Sequence, residues 1–255
     1  MTVGVEITGH VAVVEMQRPP HNFLSPDLVE AVADALESFD GDPNVRAAVL
    51  AAEGRSFCAG ADFGGREGDG DGGRGSMTER LYAAAARLCD VSTPWIAAVH
   101  GPAIGGGLGL AMTANVRVTC PEARFSANFV KLGIHQGFGL SVTLPETVGP
   151  ARAALVLLTG RRFNGEEATA IGLADVCVPA AGVRTTAVEL AAEIAANAPL
   201  ALESVNRTLR RGLGDRVREA TRHEAAEQAR LGATDDAREG IRAVAERRDG
   251  DFSGR

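Results

Sequence analysis

Two glycine-rich segments hold the residues whose types and spacing could do chemistry. The first is Ser56-Phe57-Cys58-Ala59-Gly60-Ala61-Asp62-Phe63, directly after a predicted strand. The second is His100-Gly101-Pro102-Ala103-Ile104-Gly105-Gly106-Gly107-Leu108-Gly109-Leu110, between a predicted strand and a predicted helix. Small residues at a strand end let the backbone approach a ligand with its N–H groups turned outward. A glycine run that opens a helix adds the positive end of the helix dipole. Two such turns can aim two N–H donors at one oxygen, the arrangement that stabilises a developing oxyanion. Either turn alone would fit tight packing equally well. The chain has no Walker-type phosphate loop, and Gly105-x-Gly107 lacks the third glycine of a dinucleotide fingerprint.

Those turns need strands and helices to hold them. Val3–Thr8 and His10–Met16 are β-branched runs around Gly9 and predict a hairpin. Ser25 can cap a helix, Pro26 suits its first position, and Leu28, Val32, Leu36 and Phe39 recur at helical spacing. Strands are predicted over 45–52, 95–99, 116–120 and 124–127, and helices over 77–89, 106–114 and 151–159. Residues 64–76 are glycine-rich and predict a mobile loop, whose Asp69 and Asp71 lack the companions of a calcium loop. Beyond residue 184 the pattern is helical. The expected organisation is an α/β core over 1–196 and a helical region over 197–255. The helices of that region read as short and poor in large apolar residues, so it is expected to pack on the core or on a neighbouring subunit.

Composition narrows the class. The chain has 255 residues, 45% of them hydrophobic and 23% charged, with a net charge of −7 and 4% aromatics. That balance argues against a nucleic-acid groove, which needs clustered cations and stacking rings. No apolar run reaches the length of a membrane span, and the first residues do not read as a signal peptide, so a cytoplasmic protein is expected. Cys58, Cys89, Cys120 and Cys177 lie far apart, without metal-ligand spacing, and are expected to be reduced and packed.

Taken together the motifs resemble the enoyl-CoA hydratase/isomerase (crotonase) superfamily. The resemblance spans nearly the whole chain: Gln17–Ser25, Phe57–Phe63, His100–Leu110, Arg117-Val118 through Phe125, Lys131–Ile134, Leu158–Phe163 and Ala170–Asp175. It implies an α/β spiral of ββα units with a C-terminal helical appendage, assembled as a homotrimer or dimer of trimers. It implies an acyl-CoA substrate, with coenzyme A part of the substrate and no separate cofactor or metal. The thioester carbonyl would sit between the backbone N–H groups of Ala61 and Gly106, with Cys58, Ala59 and Gly105 beside them. Asp62 would hold the turn.

The family's acids are missing. In hydratases one glutamate lies three positions after the middle glycine of the GGG run, which here is Gly109. The other lies four before the glycine of the Leu-Gly pair, which here is Phe129. Relatives with an aspartate four residues after that glycine are matched by Gly137. Each lost acid/base group typically costs ~10²–10⁴ in rate. The expected activity is therefore enolate stabilisation on an acyl-CoA with altered acid/base residues; decarboxylation, hydrolysis and binding without catalysis are the alternatives. His135 and Gln136 are the candidate replacements, with Glu67, Asp69 or Asp71 reaching in from the loop as another source. His135 also fits a structural histidine, and Tyr82 either lines the acyl pocket or packs. Arg18, with His21, is placed towards the CoA phosphates, and Phe129, Phe138 and Leu140 towards the acyl chain. His100 reads as structural.

Overall fold

The computed structural model describes residues 2–61 and 71–255, with side chains from residue 77 onward in the second segment. The strands are β1 (Val3–Thr8), β2 (Val11–Met16), β3 (Ala47–Ala52), β4 (Trp95–Val99), β5 (Ala103–Ile104), β6 (Val116–Thr119), β7 (Phe125–Ser126) and β8 (Val176–Cys177). Six of them form one sheet in the order β1-β2-β3-β4-β6-β8, and β5 and β7 pair separately. Only β1–β2 is antiparallel in the larger sheet. Parallel strands covered on both faces read as unbroken apolar runs, which is what Ala47–Ala52 and Trp95–Val99 are.

The helices are α1 (Pro26–Glu37), α2 (Asp71–Asp90), α3 (Gly106–Met112), α4 (Leu140–Val148), α5 (Pro150–Thr159), α6 (Gly165–Ala170), α7 (Val183–Ala195), α8 (Pro199–Leu209), α9 (Leu213–Gly232) and α10 (Asp235–Glu246). In α1 the Ser25 hydroxyl accepts from the Leu28 amide, and Leu28, Val29, Val32, Ala33 and Leu36 make one buried stripe. Helix α7 lies across β2, β3, β4 and β6, and α2 packs between α1 and α9. The buried side chains of β2, β3, β4, α1 and α7 join one continuous core centred on Trp95, Leu50 and Ile96.

Two expectations are corrected. Helix α2 begins at Asp71, six residues before the predicted start, so the Asp71–Ser76 backbone is helical despite its three glycines. As a whole, α2 packs against α1 and α9. Residues 64–70 of that predicted loop lie outside the described residues. The helices after residue 196 are not all short either, because α9 runs for 20 residues. Its first half carries Asp215, Arg216, Arg218, Glu219 and Arg222, yet Val217 is fully buried against Ala86 and Cys89. Helices α9 and α10 dock on α2, α4 and the 3-10 turn Asn128–Leu132.

The chain end folds back on α10. Glu239 accepts from Arg242 and Arg248, each at 2.5 Å, and from the Asp251 amide at 3.1 Å. These donors, Arg248 first, hold its carboxyl well below the usual carboxylate range. A depressed folded-state pKa contributes stability that is fully present above the unfolded value, shrinks below it, and is lost only as pH falls through the folded-state value. Glu239→Gln is thus expected to lower Tm at pH 7 and to lower it by less at pH 3. An equal Tm deficit at both pH values would remove the ionic explanation.

Candidate active site

The two glycine-rich turns lie side by side, joined through the backbone. The Cys58 amide donates to Pro102 O at 3.0 Å and the Ile104 amide to Cys58 O at 3.0 Å, so Cys58 and Ala103 form a parallel bridge. On the other side Leu24 N donates to Gly60 O at 2.8 Å, and Leu24 bridges to Ala61. This contact requires two glycines. A Cβ at Gly60, whose φ is +82°, would stand 2.7 Å from Ile104 O, and one at Gly107 would collide with the Cys58 carbonyl.

Gly105 caps α3 with φ 56°, and its own amide donates to Ser126 O at 2.8 Å. The first intrahelical bond runs from Gly109 N to Gly105 O at 3.1 Å. The Gly106 amide precedes it and has no acceptor among the described residues, as expected at a helix start. The Ala61 amide likewise has none there. Leu24 links the two: bridged to Ala61, it also places a methyl 2.5 Å from where a Gly106 Cβ would stand. Two uncommitted N–H donors on facing turns can stabilise one oxyanion.

Asn22 fixes the neighbouring segment and had no role assigned from sequence. It is fully buried at φ 47°, and its amide nitrogen donates to Glu53 O at 2.7 Å and Ser56 O at 2.8 Å. Its oxygen accepts from Arg18 N at 3.0 Å. Arg18 is exposed and its guanidinium donates to Ser25 Oγ at 2.6 Å, while His21 Nδ1 lies 3.2 Å from Ser56 Oγ. Ala59 donates its amide to His21 O at 3.0 Å. Cys58 is buried and its thiol is pushed up to about 12 by that burial, so it stays protonated and is no nucleophile. His100 contacts the Gly54 carbonyl through Nε2 at 3.1 Å and accepts from Cys120 through its own carbonyl.

The three positions at which the family resemblance leads one to expect an acid, Gly109, Phe129 and Gly137, are closely packed. A Cβ at Gly109 would stand 2.6–2.9 Å from the Cβ, Cγ and Cδ1 of Phe138. A Cβ at Gly137 would collide with the Tyr82 hydroxyl and lie 2.7 Å from Gln228 Nε2. Phe129 is nearly buried, with its ring tip 3.7 Å from the place of a Gly105 Cβ. Packed side chains fill the space that carboxylates would need.

The remaining candidates gather on the far side of Phe138. Tyr82 is buried, and its hydroxyl donates to Gln228 Oε1 at 2.7 Å; burial first, and the Glu224 charge second, push its pKa up. Gln228 Nε2 donates to His135 O at 2.9 Å. The His135 ring faces His223 edge-on at 5.6 Å, with Nδ1 2.8 Å from Gln136 O, and Gln136 donates to Ser141 Oγ at 3.0 Å. No hydrogen bond among the described residues joins His135 or Gln136 to either turn. Asp62, Glu67 and Asp69, and the Asp71 side chain, lie outside the described residues. Among the described residues no group of three His, Cys, Asp or Glu could hold a metal, and no helix is long and apolar enough to cross a membrane.

Comparison with known proteins decides the family. The enoyl-CoA hydratase/isomerase family model matches residues 6–255. The chain belongs to the enoyl-CoA hydratase/isomerase family. It is 34% identical to enoyl-CoA hydratase EchA19 of Mycobacterium tuberculosis, covering 98% of this chain and 96% of that one. It is 32% identical to a short-chain-enoyl-CoA hydratase of Clostridium acetobutylicum over 96% of this chain and 94% of that one. Among solved structures it is similar to an enoyl-CoA hydratase/isomerase from Pseudoalteromonas atlantica, at TM-score 0.85 and 27% identity over 99% of this chain and 100% of that one. Within this crotonase-fold family the Arg117–Asp175 pair of the motif is structural: the buried guanidinium lies 2.8 Å from the carboxylate, which also accepts from the Arg117 amide.

Proposed function

We propose that this family member binds an acyl-CoA thioester with its carbonyl oxygen between the Ala61 and Gly106 amides, and stabilises an enolate there without the two-carboxylate hydration chemistry. The observation that carries the reading is two N–H donors without an acceptor among the described residues, together with closely packed positions at Gly109, Phe129 and Gly137. An oxyanion donor is worth roughly 2.7–4 kcal/mol in the transition state. Reactions that need the enolate but little help from a carboxylate base fit such a site. Loss of carbon dioxide from a malonyl-type thioester is one, since the departing carbon leaves its electron pair on the enolate. Thioester hydrolysis requires a group to prepare water, and His135 is the residue proposed for that proton transfer, with Gln136 beside it as a hydrogen-bonding partner. The same filled positions favour a second reading, an acyl-CoA-binding protein without turnover. A cytoplasmic trimer or dimer of trimers, with residues 197–255 as a separate packing region, is the proposed setting.

The carbonyl contact is testable without altering the protein. Calorimetry with butyryl-CoA and its thioether analogue, which lacks the carbonyl, compares two ligands that differ by one oxygen. Two hydrogen bonds at about 0.5–1.5 kcal/mol each predict roughly tenfold weaker binding of the thioether. Equal affinities would sink the assignment of Ala61 and Gly106.

A further inference from the structure

Phe138 lies at the join between the two turns and the C-terminal helices, and its placement is over-determined. Its φ is +62° and that of Gly139 is +74°, two successive residues in the left-handed region, where a side-chain-bearing residue is strained. Three backbone groups around it are held by side chains from other elements. The Gly139 and Ser141 amides donate to the two oxygens of Glu224 at 2.8 and 3.0 Å, and the His135 carbonyl accepts from Gln228. Glu224 is fully buried, with no ion-pair partner among the described residues, and both its oxygens accept from this turn. The outcome is a ring, 1% exposed, pressed on Gly109 and reaching to 3.8 Å from where a Gly106 Cβ would stand.

We infer that Phe138 is the specificity-determining residue of the acyl site and that Glu224 is its positioning residue. This rests on the proposed carbonyl contact at Gly106. With the carbonyl there, the first carbons of the acyl group lie next to the Phe138 ring, with Leu24 and the Phe129 ring tip as the other apolar neighbours. The site therefore takes slim apolar acyl groups, unbranched next to the thioester carbon, and rejects branched ones by overlap with the ring. Glu224 acts at a distance from substrate by fixing the backbone that aims the ring.

The test is calorimetry of wild type, Phe138→Ala, Phe138→Leu and Glu224→Gln with CoA, butyryl-CoA, isovaleryl-CoA and pivaloyl-CoA. Wild type is expected to prefer butyryl-CoA over pivaloyl-CoA. Phe138→Ala should shift that ratio towards pivaloyl-CoA by about tenfold, with Phe138→Leu between. Glu224→Gln should move the ratio in the same direction, which a loss of stability alone would not do. An unchanged ratio in either folded Phe138 variant overturns the inference while leaving the carbonyl assignment standing. An unchanged ratio in Glu224→Gln overturns the positioning role. Wild-type binding of no acyl-CoA more tightly than CoA overturns this inference and the proposed function together.

Discussion

Gly109→Glu, which puts a carboxylate in α3 where the family resemblance leads one to expect one, is expected to destabilise the chain by about 3–5 kcal/mol instead of conferring hydration. The position is fully enclosed, with the Phe138 Cβ and ring at 2.6–2.9 Å from the new Cβ. Urea unfolding of the single variant measures the cost. The stronger statement concerns the double variant. Phe138→Ala alone should cost about 3–5 kcal/mol, as large-to-small core changes do. If the two side chains compete for one volume, Gly109→Glu with Phe138→Ala should cost less than the sum by about 1–3 kcal/mol. Simple additivity would show that the space beside Gly109 is not what excludes the acid.

Arg210→Leu should be as damaging, although the residue lies far from either glycine-rich turn. Its guanidinium donates to Leu88 O at 2.8 Å, Cys89 O at 3.2 Å and Thr113 O at 2.9 Å. One side chain after α8 thus satisfies the carbonyl ends of both α2 and α3. Hydrogen bonds from a charged donor are worth about 1.5–3 kcal/mol each, and the orphaned carbonyls add to the loss, so about 3–5 kcal/mol is expected by urea unfolding. Arg210→Lys should recover less than half of that, because an ammonium cannot span two helix ends as a planar fork does. A loss below about 1 kcal/mol for Arg210→Leu would mean that water satisfies these carbonyls.

Much of the α/β body was legible because its signals are local. The hairpin, the Ser25-Pro26 start of α1, the apolar runs of β3 and β4 and the extent of α5 agree with the structure within a few residues. Helix α4 escaped because Gly139 and the internal Pro145 mask it. Helix α6 escaped although Asn164 and Glu167 form a capping box that the sequence displays at the right spacing. The glycine-rich turns were visible in sequence, and the positions where the resemblance leads one to expect an acid could be counted from them. What fills the acid positions could not. Phe138 meets Gly109 across 29 residues of sequence, and Glu224 reaches the same turn from a charge-rich helix where it looks like any solvated glutamate. Those contacts are set by tertiary packing, and no periodicity announces them.

The most direct test of the whole account is incubation of the purified protein with short and medium trans-2-enoyl-CoAs, following loss of the conjugated double bond beside calorimetric binding. On the proposed function, binding of the esters is expected with no hydration above the uncatalysed rate, because Phe138 crowds Gly109 and the Tyr82–Gln228 pair crowds Gly137, two of the positions where the resemblance leads one to expect an acid. Appreciable hydration would contradict it, and would require a carboxylate that reaches the Ala61–Gly106 site from elsewhere in the chain.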